Sequence, residues 1–113
     1  MGYRSQVVLA IGPEKVGHLL TMLSANEDAF QLFQRGLKEG KKDYEEKGDL
    51  LLVWNDIKWY TSYDDVGTFA EFIDSCMDDE EQFRFVRVGE EPDDIKILGE
   101  YSYGVYPSTD IIF

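Results

Sequence analysis

The sequence has few of the residues that most often build catalytic and metal centres. Its 113 residues include one histidine, His18, and one cysteine, Cys76. A single cysteine excludes an internal disulfide. One histidine and one cysteine together also cannot supply the four cysteine or histidine ligands of a structural zinc site. Nucleophilic catalysis needs a base beside the nucleophile. His18 falls inside a predicted helix, and the acidic run after Cys76 disfavours a thiolate. We therefore predict that the protein is not an enzyme, with neither a cofactor nor a bound metal.

Long apolar runs and phosphate-binding glycine patterns are also missing. No stretch reaches the roughly eighteen apolar residues of a membrane span, and the N-terminus lacks the pattern of a signal peptide. The ten glycines are scattered and do not form a phosphate loop. The acidic segments 78–81 and 90–94 lack the spacing of a calcium loop. We expect a cytoplasmic protein without membrane association.

The residues that are present can build an ordinary folded domain. Apolar residues make up 43% of the chain and aromatic residues 14%, more than a disordered acidic tail carries. A chain of this length has room for one hydrophobic core. We therefore expect a single domain over residues 1–113.

Apolar periodicity and turn residues predict the order of helices and strands. At 50–60 the pattern allows two alternatives, a hairpin turning at Asn55-Asp56 or one long strand with Leu51, Val53, Ile57 and Trp59 on a common face; we favour the hairpin. The other predicted elements are a strand at 3–11, helices beginning at Pro13 and Ser24, a helix after Thr61 that ends in the acidic run 78–81, a strand at 83–88, a short helical piece after 94, and terminal strands at 99–106 and 110–113.

This order of elements predicts the fold class. We expect an α+β fold in which two main helices cover one face of an antiparallel sheet. The core corresponds to a ferredoxin-like βαββαβ unit, and the last strands form a C-terminal β extension.

Negative charge is concentrated in one third of the chain. The net charge is −12, yet residues 1–63 carry eight basic and nine acidic residues, whereas residues 64–100 carry three basic and thirteen acidic ones. Such a segment opposes direct nucleic-acid binding but suits a basic protein groove. The alternative is a solvated surface that keeps the protein soluble. The predicted partner-binding residues are Asp74, Asp78, Asp79, Glu80, Glu81, Glu90, Glu91, Asp93 and Asp94.

Aromatic and arginine side chains suggest a second kind of site. Tryptophan and tyrosine are enriched at binding surfaces, but they also fill the cores of small domains, and we expect core packing for the two tryptophans. The alternative ligand-binding set is Arg4, Trp54, Trp59, Arg84 and Arg87.

Three short segments resemble a family of small bacteriophage and prophage proteins with no assigned activity. They are 1–5 (Met-Gly-Tyr-Arg-Ser), 54–60 (Trp-Asn-Asp-Ile-Lys-Trp-Tyr) and 85–91 with 93–95. The resemblance implies a phage accessory protein, a class that includes inhibitors of host defence such as anti-CRISPR proteins, several of which are acidic DNA mimics. It assigns no functional residue.

Two binding functions follow as hypotheses. The first is an inhibitor whose acidic face blocks a host protein with a basic nucleic-acid-binding surface, through pairing with its lysines and arginines. The alternative is sequestration of a nucleotide signal of host defence, in a pocket at the interface of a homo-oligomer. A structural interaction module without a defence role is the third hypothesis.

Overall fold

The computed structural model describes residues 4–40, 50–91 and 94–100. The order of helices and strands in this part of the chain agrees with the predicted order except at two segments, residues 50–57 and 95–99. In chain order the elements are β1 (Ser5–Ile11), α1 (Pro13–Leu23), α2 (Glu27–Gly40), β2 (Leu50–Ile57), α3 (Asp64–Ser75), a 3₁₀ segment (Met77–Gln82), β3 (Phe83–Val88) and β4 (Ile95–Gly99).

The described strands form one sheet in the order β2-β1-β3-β4, and every neighbouring pair is antiparallel. Strands β2 and β3 both run antiparallel to β1, which lies between them. The unit β2-α3-β3 is therefore a split βαβ, the motif of ferredoxin-like folds. The predicted α+β class, with helices packed on an antiparallel sheet, is confirmed. The predicted terminal strands beyond Glu100 lie outside the described residues.

The helices cover one face of the sheet. Side chains alternate along a strand, so Val7, Leu9 and Ile11 of β1 face the helices while Val8 and Ala10 point to the opposite face. The helix-covered face holds the larger core cluster. Its fully buried large side chains include Trp54, Phe69, Phe72, Phe83, Leu9, Ile11, Leu19, Leu23 and Leu52.

Strand β2 is continuous, so the predicted hairpin at Asn55-Asp56 is wrong. The register pairs Val7 with Trp54 but Ser5 with Ile57, which inserts one extra residue into β2 as a β-bulge. Asp56 adopts a positive φ of 56° there. Asn and Asp tolerate this conformation in bulges as well as in tight turns, and the pairing of β2 with β1 selects the bulge.

The bulge also changes which side chains share a face. The long-strand alternative placed Leu51, Val53 and Ile57 together, whereas Ile57 lies on the helix-covered face with Trp54 and Leu52. A strand alternates with a period of two residues. The extra residue shifts that alternation by one, so Ile57 returns to the core.

The helix boundaries agree with the sequence at some positions and differ at others. Pro13 begins α1 directly after Gly12, as predicted. Ser24 is the C-cap of α1 and not the N-cap of α2; the Oδ1 atom of Asn26 instead accepts a 3.0 Å hydrogen bond from the N–H of Ala29. None of the described helices has the length and apolar character needed to cross a membrane.

The segment after Asp94 is strand β4, so the predicted short helical piece is wrong. It pairs with β3 from Val88–Ile95 to Arg84–Gly99. The connection is closed by backbone hydrogen bonds from Gly89 N–H to the Asp94 carbonyl (2.8 Å) and from Asp94 N–H to the Glu91 carbonyl (3.0 Å). Sheet pairing with β3 overrides the weak local helical pattern.

Candidate functional site

Among the described residues, the densest group of exposed carboxylates lies where α3 leads into the 3₁₀ segment. Five predicted residues are exposed there, Asp74 on α3 and Asp78, Asp79, Glu80 and Glu81 in the 3₁₀ segment. Two more exposed carboxylates adjoin them that the sequence prediction missed. Glu71 lies one helical turn before Asp74, and Glu100 is held beside Glu80 by a hydrogen bond from its N–H to the Glu80 carbonyl (2.6 Å). We call these seven residues the acidic surface.

Backbone hydrogen bonds fix the acidic surface to the sheet. Gly12, at the end of β1, donates its N–H to the Gln82 carbonyl at 2.7 Å, and Asp79 donates its N–H to the Cys76 carbonyl at 2.8 Å. A Cβ atom at Gly12 would lie 2.5 Å from the Gln82 Oε1 atom, at the end of a flexible side chain, and 3.2 Å from the Gln82 carbonyl oxygen, so glycine makes this close approach easier. The carboxylates are thus carried on a backbone tied to β1 and to β4.

Within the part of the chain that the structure describes, Lys15 contacts the acidic surface. The Nζ atom of Lys15, on α1, lies 2.8 Å from Oδ2 of Asp79. The hydrogen bond to Asp79 raises the pKa of Lys15 above its ordinary value, and its attraction to this carboxylate adds to the effect. Lys15 therefore stays protonated, and it partly offsets the charge of Asp79 within the surface.

Three of the remaining predicted carboxylates, Glu90, Glu91 and Asp94, form a second group at the turn between β3 and β4. Strand β3, which has 6 residues and is roughly 20 Å long at about 3.3 Å per residue, separates Glu90 and Glu91 from Glu81. Oε1 of Glu90 accepts a 3.0 Å hydrogen bond from the Arg4 N–H, and Asp94 pairs with Arg87. Asp93 lies outside the described residues. The structure therefore divides the predicted acidic array into two groups at opposite ends of β3.

The alternative ligand-binding residues do not meet in one pocket. Trp54 is fully buried, and its Nε1–H donates a 2.8 Å hydrogen bond to the Leu32 carbonyl. Arg84 donates from Nη1 to the Gly99 carbonyl (3.1 Å), and Arg4 donates from Nη1 to the Asp56 carbonyl (2.9 Å). The expected core packing of tryptophan is confirmed for Trp54.

Trp59 and Arg87 do line a common cleft, which we call the Trp59 cleft. Its volume is about 600 Å³, and it opens between the sheet and the segment that joins β2 to α3. Trp59 is half-buried and packs its ring against Trp54 and Phe85, at centroid distances of 5.2 and 5.9 Å. The full lining is Ser5, Trp59, Tyr60, Thr61, Ser62, Phe85, Arg87, Asp94 and Lys96.

His18 forms a contact that the sequence did not reveal. Its Nε2 atom lies 2.9 Å from Oγ of Ser75, and its ring lies 5.7 Å from that of Phe72. The Ser75 hydroxyl donates a 2.6 Å hydrogen bond to the Phe72 carbonyl. While that hydrogen is engaged, His18 Nε2 can only donate to Ser75, which requires the tautomer with its proton on Nε2, and it does not act as a base toward the hydroxyl. The contact joins α1 to α3.

Cys76 is fully buried at the end of α3. Burial raises the pKa of its thiol above the ordinary value, against smaller lowering effects of Ser75 and Lys15. Both the burial and the protonated state oppose reaction with thiol reagents.

We expect native Cys76 to react with Ellman's reagent at pH 8 at least about ten-fold more slowly than in the urea-unfolded chain, because reaction requires local opening. As the only cysteine in the sequence, it gives an unambiguous signal. Equal rates in the native and unfolded states would contradict the buried placement.

No group of three or more histidine, cysteine, aspartate or glutamate side chains in the described part of the chain has the arrangement of a metal site. Comparisons of the chain with protein-family models, curated proteins and solved structures found no match. A functional assignment therefore depends on charge, exposure and geometry.

Proposed function

We propose that the protein is a non-catalytic inhibitor, encoded by a bacteriophage or prophage, that binds the basic nucleic-acid-binding surface of a host defence protein. The observation that carries the proposal is the acidic surface, with seven exposed carboxylates on a backbone tied to two strands. Carboxylates on a fixed backbone lose less conformational entropy on binding than those on a flexible tail.

The charge density of the acidic surface supports mimicry of a nucleic acid. The carboxylates of residues 78–81 belong to four consecutive residues, in a helical segment that is kinked at Asp79 (φ −126°, ψ 56°). Four adjacent carboxylates concentrate negative charge on a short stretch of backbone, as the phosphates do along double-stranded DNA, which carries one charge per roughly 1.7 Å. A groove lined by lysine and arginine responds to that spacing and sign of charge.

Binding through the acidic surface is expected to weaken as salt increases. Exposed charges are screened over about 8 Å at physiological ionic strength. The partner should therefore be captured from a host lysate at low salt and lost progressively in a salt series. Retention of the partner that is independent of salt would contradict the proposal.

Neutralising the acidic surface provides the direct test. The triple variant Asp78→Asn, Glu80→Gln, Glu81→Gln leaves the Lys15–Asp79 pair in place, and should weaken binding of the purified partner roughly 10- to 100-fold, since each exposed ion pair contributes about 0.5–1 kcal/mol. Binding is measured by isothermal titration calorimetry.

A matched control removes the same charge elsewhere. Glu14, Glu27 and Asp28 are exposed on α1 and α2, and their replacement by glutamine or asparagine should change the affinity less than about three-fold. Equal losses in both triple variants would show that only net charge matters, and would contradict a defined binding surface.

A further inference from the structure

The Trp59 cleft differs in charge from the rest of the protein. Its lining includes two cations, Arg87 and Lys96, and one carboxylate, Asp94. The chain as a whole carries a net charge of −12. Arg87 and Lys96 are cross-strand partners in the β3–β4 ladder, so strand pairing places both side chains at the same position across the sheet. The local excess of positive charge is therefore a product of the sheet register.

We propose that the Trp59 cleft binds a small anion that carries a planar aromatic ring, with a nucleoside monophosphate as its representative. This site is separate from the acidic surface. Its ligand is negatively charged, whereas the partner proposed for the acidic surface is positively charged. Binding of a nucleotide in the cleft can therefore be tested separately from binding of a partner to the acidic surface.

The aromatic part of the ligand has a fixed stacking surface. Trp59 packs against Trp54, Phe69 and Phe85, at centroid distances of 5.2, 6.3 and 5.9 Å. These contacts orient its ring before a ligand arrives, while the side chain stays half-exposed at the cleft. A pre-oriented aromatic face can stack on any planar base. Proteins commonly use such stacking to bind a nucleobase without selecting for its identity.

The anionic part has donors of two kinds. Asp94 fixes the guanidinium of Arg87 through contacts of 2.9 and 3.2 Å, from Nη2 and Nη1 to its two carboxylate oxygens. A guanidinium has five N–H groups, and the Asp94 carboxylate accepts from only some of them, so Arg87 keeps N–H groups that can donate to an anionic ligand. Lys96 is exposed on the neighbouring strand, and Thr61 and Ser62 add hydroxyl groups from the opposite wall. Fixed donors beside a flexible ammonium suit a phosphate group.

The dimensions agree with a mononucleotide. Sites for small molecules usually measure about 300–1,000 Å³, and the cleft has about 600 Å³. Nucleotide sequestration is the alternative function that the sequence suggests. The cleft, however, is lined by a different set of residues from the one predicted to bind the nucleotide. Trp59 and Arg87 remain, while Ser5, Phe85 and Lys96 replace Arg4, Trp54 and Arg84 in the lining.

Calorimetric titration of the full chain with three probes tests the ligand class. Adenosine monophosphate carries both ring and anion, adenosine carries the ring alone, and inorganic phosphate carries the anion alone. We expect the monophosphate to bind at least roughly ten-fold more tightly than either fragment, because it combines both sets of contacts. Absence of binding by the monophosphate at millimolar concentration would overturn the proposal, as would phosphate binding equally well.

Three variants locate the binding. Lys96→Gln should weaken binding of adenosine monophosphate roughly five-fold, whereas Lys38→Gln, which removes the same charge from an exposed position on α2, should leave it unchanged. Asp94→Asn removes a negative charge beside the anion, while its amide oxygen can still accept from Arg87, and it should tighten binding several-fold. Equal effects of the two lysine variants, or an affinity unchanged by Asp94→Asn, would place the ligand outside the cleft and refute the proposal.

Discussion

Replacement of Trp54 by alanine is expected to lower the free energy of unfolding by about 3–5 kcal/mol, the usual cost of removing a buried large aromatic side chain. Trp54 is fully buried and packs edge-on against Phe69 at 5.2 Å. The change also removes the donor to the Leu32 carbonyl, a 2.8 Å hydrogen bond inside the core. Domains of this size have about 5–15 kcal/mol of stability, so the variant should unfold at much lower urea concentration.

Helix α2 has little with which to fill the cavity that this substitution leaves. Helix α2 lies directly on the indole ring, where a Cβ atom at Gly36 would be only 2.8 Å from two of its carbon atoms. The absence of a side chain at Gly36 lets the helix approach a tryptophan closely. After removal of the ring, glycine offers no atoms to fill the space, so the loss should fall toward the upper part of the range.

Phe30→Ala is the matched control for this measurement. Phe30 is also aromatic but is 42% exposed on α2, and its replacement should cost about 1 kcal/mol or less. Urea denaturation followed by circular dichroism compares the two variants. Similar losses for Phe30 and Trp54 would contradict the central position of Trp54 in the core.

Replacement of Gly99 by alanine is expected to cost about 2–3 kcal/mol of stability. Gly99 has a φ of +81°, a region in which a side chain is strained. A Cβ atom there would also collide with the carbonyl oxygen and carbon of Phe83, which are backbone atoms and cannot rotate away. Relief of the collision would move the end of β4, and with it the contact between Glu100 and Glu80. The variant should therefore also weaken partner binding through the acidic surface.

Gly17→Ala supplies a control of opposite sign. Gly17 lies within α1, and a Cβ atom there would meet nothing within 4 Å. Alanine is the better helix former, so this change should raise the free energy of unfolding by up to about 1 kcal/mol. Thermal denaturation of both alanine variants gives the comparison. A neutral Gly99→Ala variant would show that β4 does not hold Gly99 against Phe83.

Local patterns predicted much of the fold because their causes are local. Alternation of Val7, Leu9 and Ile11 with Val8 and Ala10 predicted both faces of β1, and Pro13 predicted the start of α1. The wrong predictions concern segments whose local chemistry permits two structures. Asn55-Asp56 suits a turn or a bulge, and the segment after Asp94 suits a helix or a strand. Pairing with β1 and with β3 decides these cases, and that pairing depends on residues far away in the chain.

The sign and distribution of charge follow directly from the order of residues, with ten of the twelve net negative charges within residues 64–100. The shortage of histidine and cysteine follows from the sequence as well, since composition does not depend on folding. Only the tertiary structure divided the acidic residues into two groups at the ends of β3, and only the register of β3 and β4 brought Lys96 beside Arg87. Net charge is the sum of the charges of all residues, whereas a binding site requires particular side chains to lie close together. Proximity is set by strand register and by backbone contacts such as that of Glu100 with Glu80.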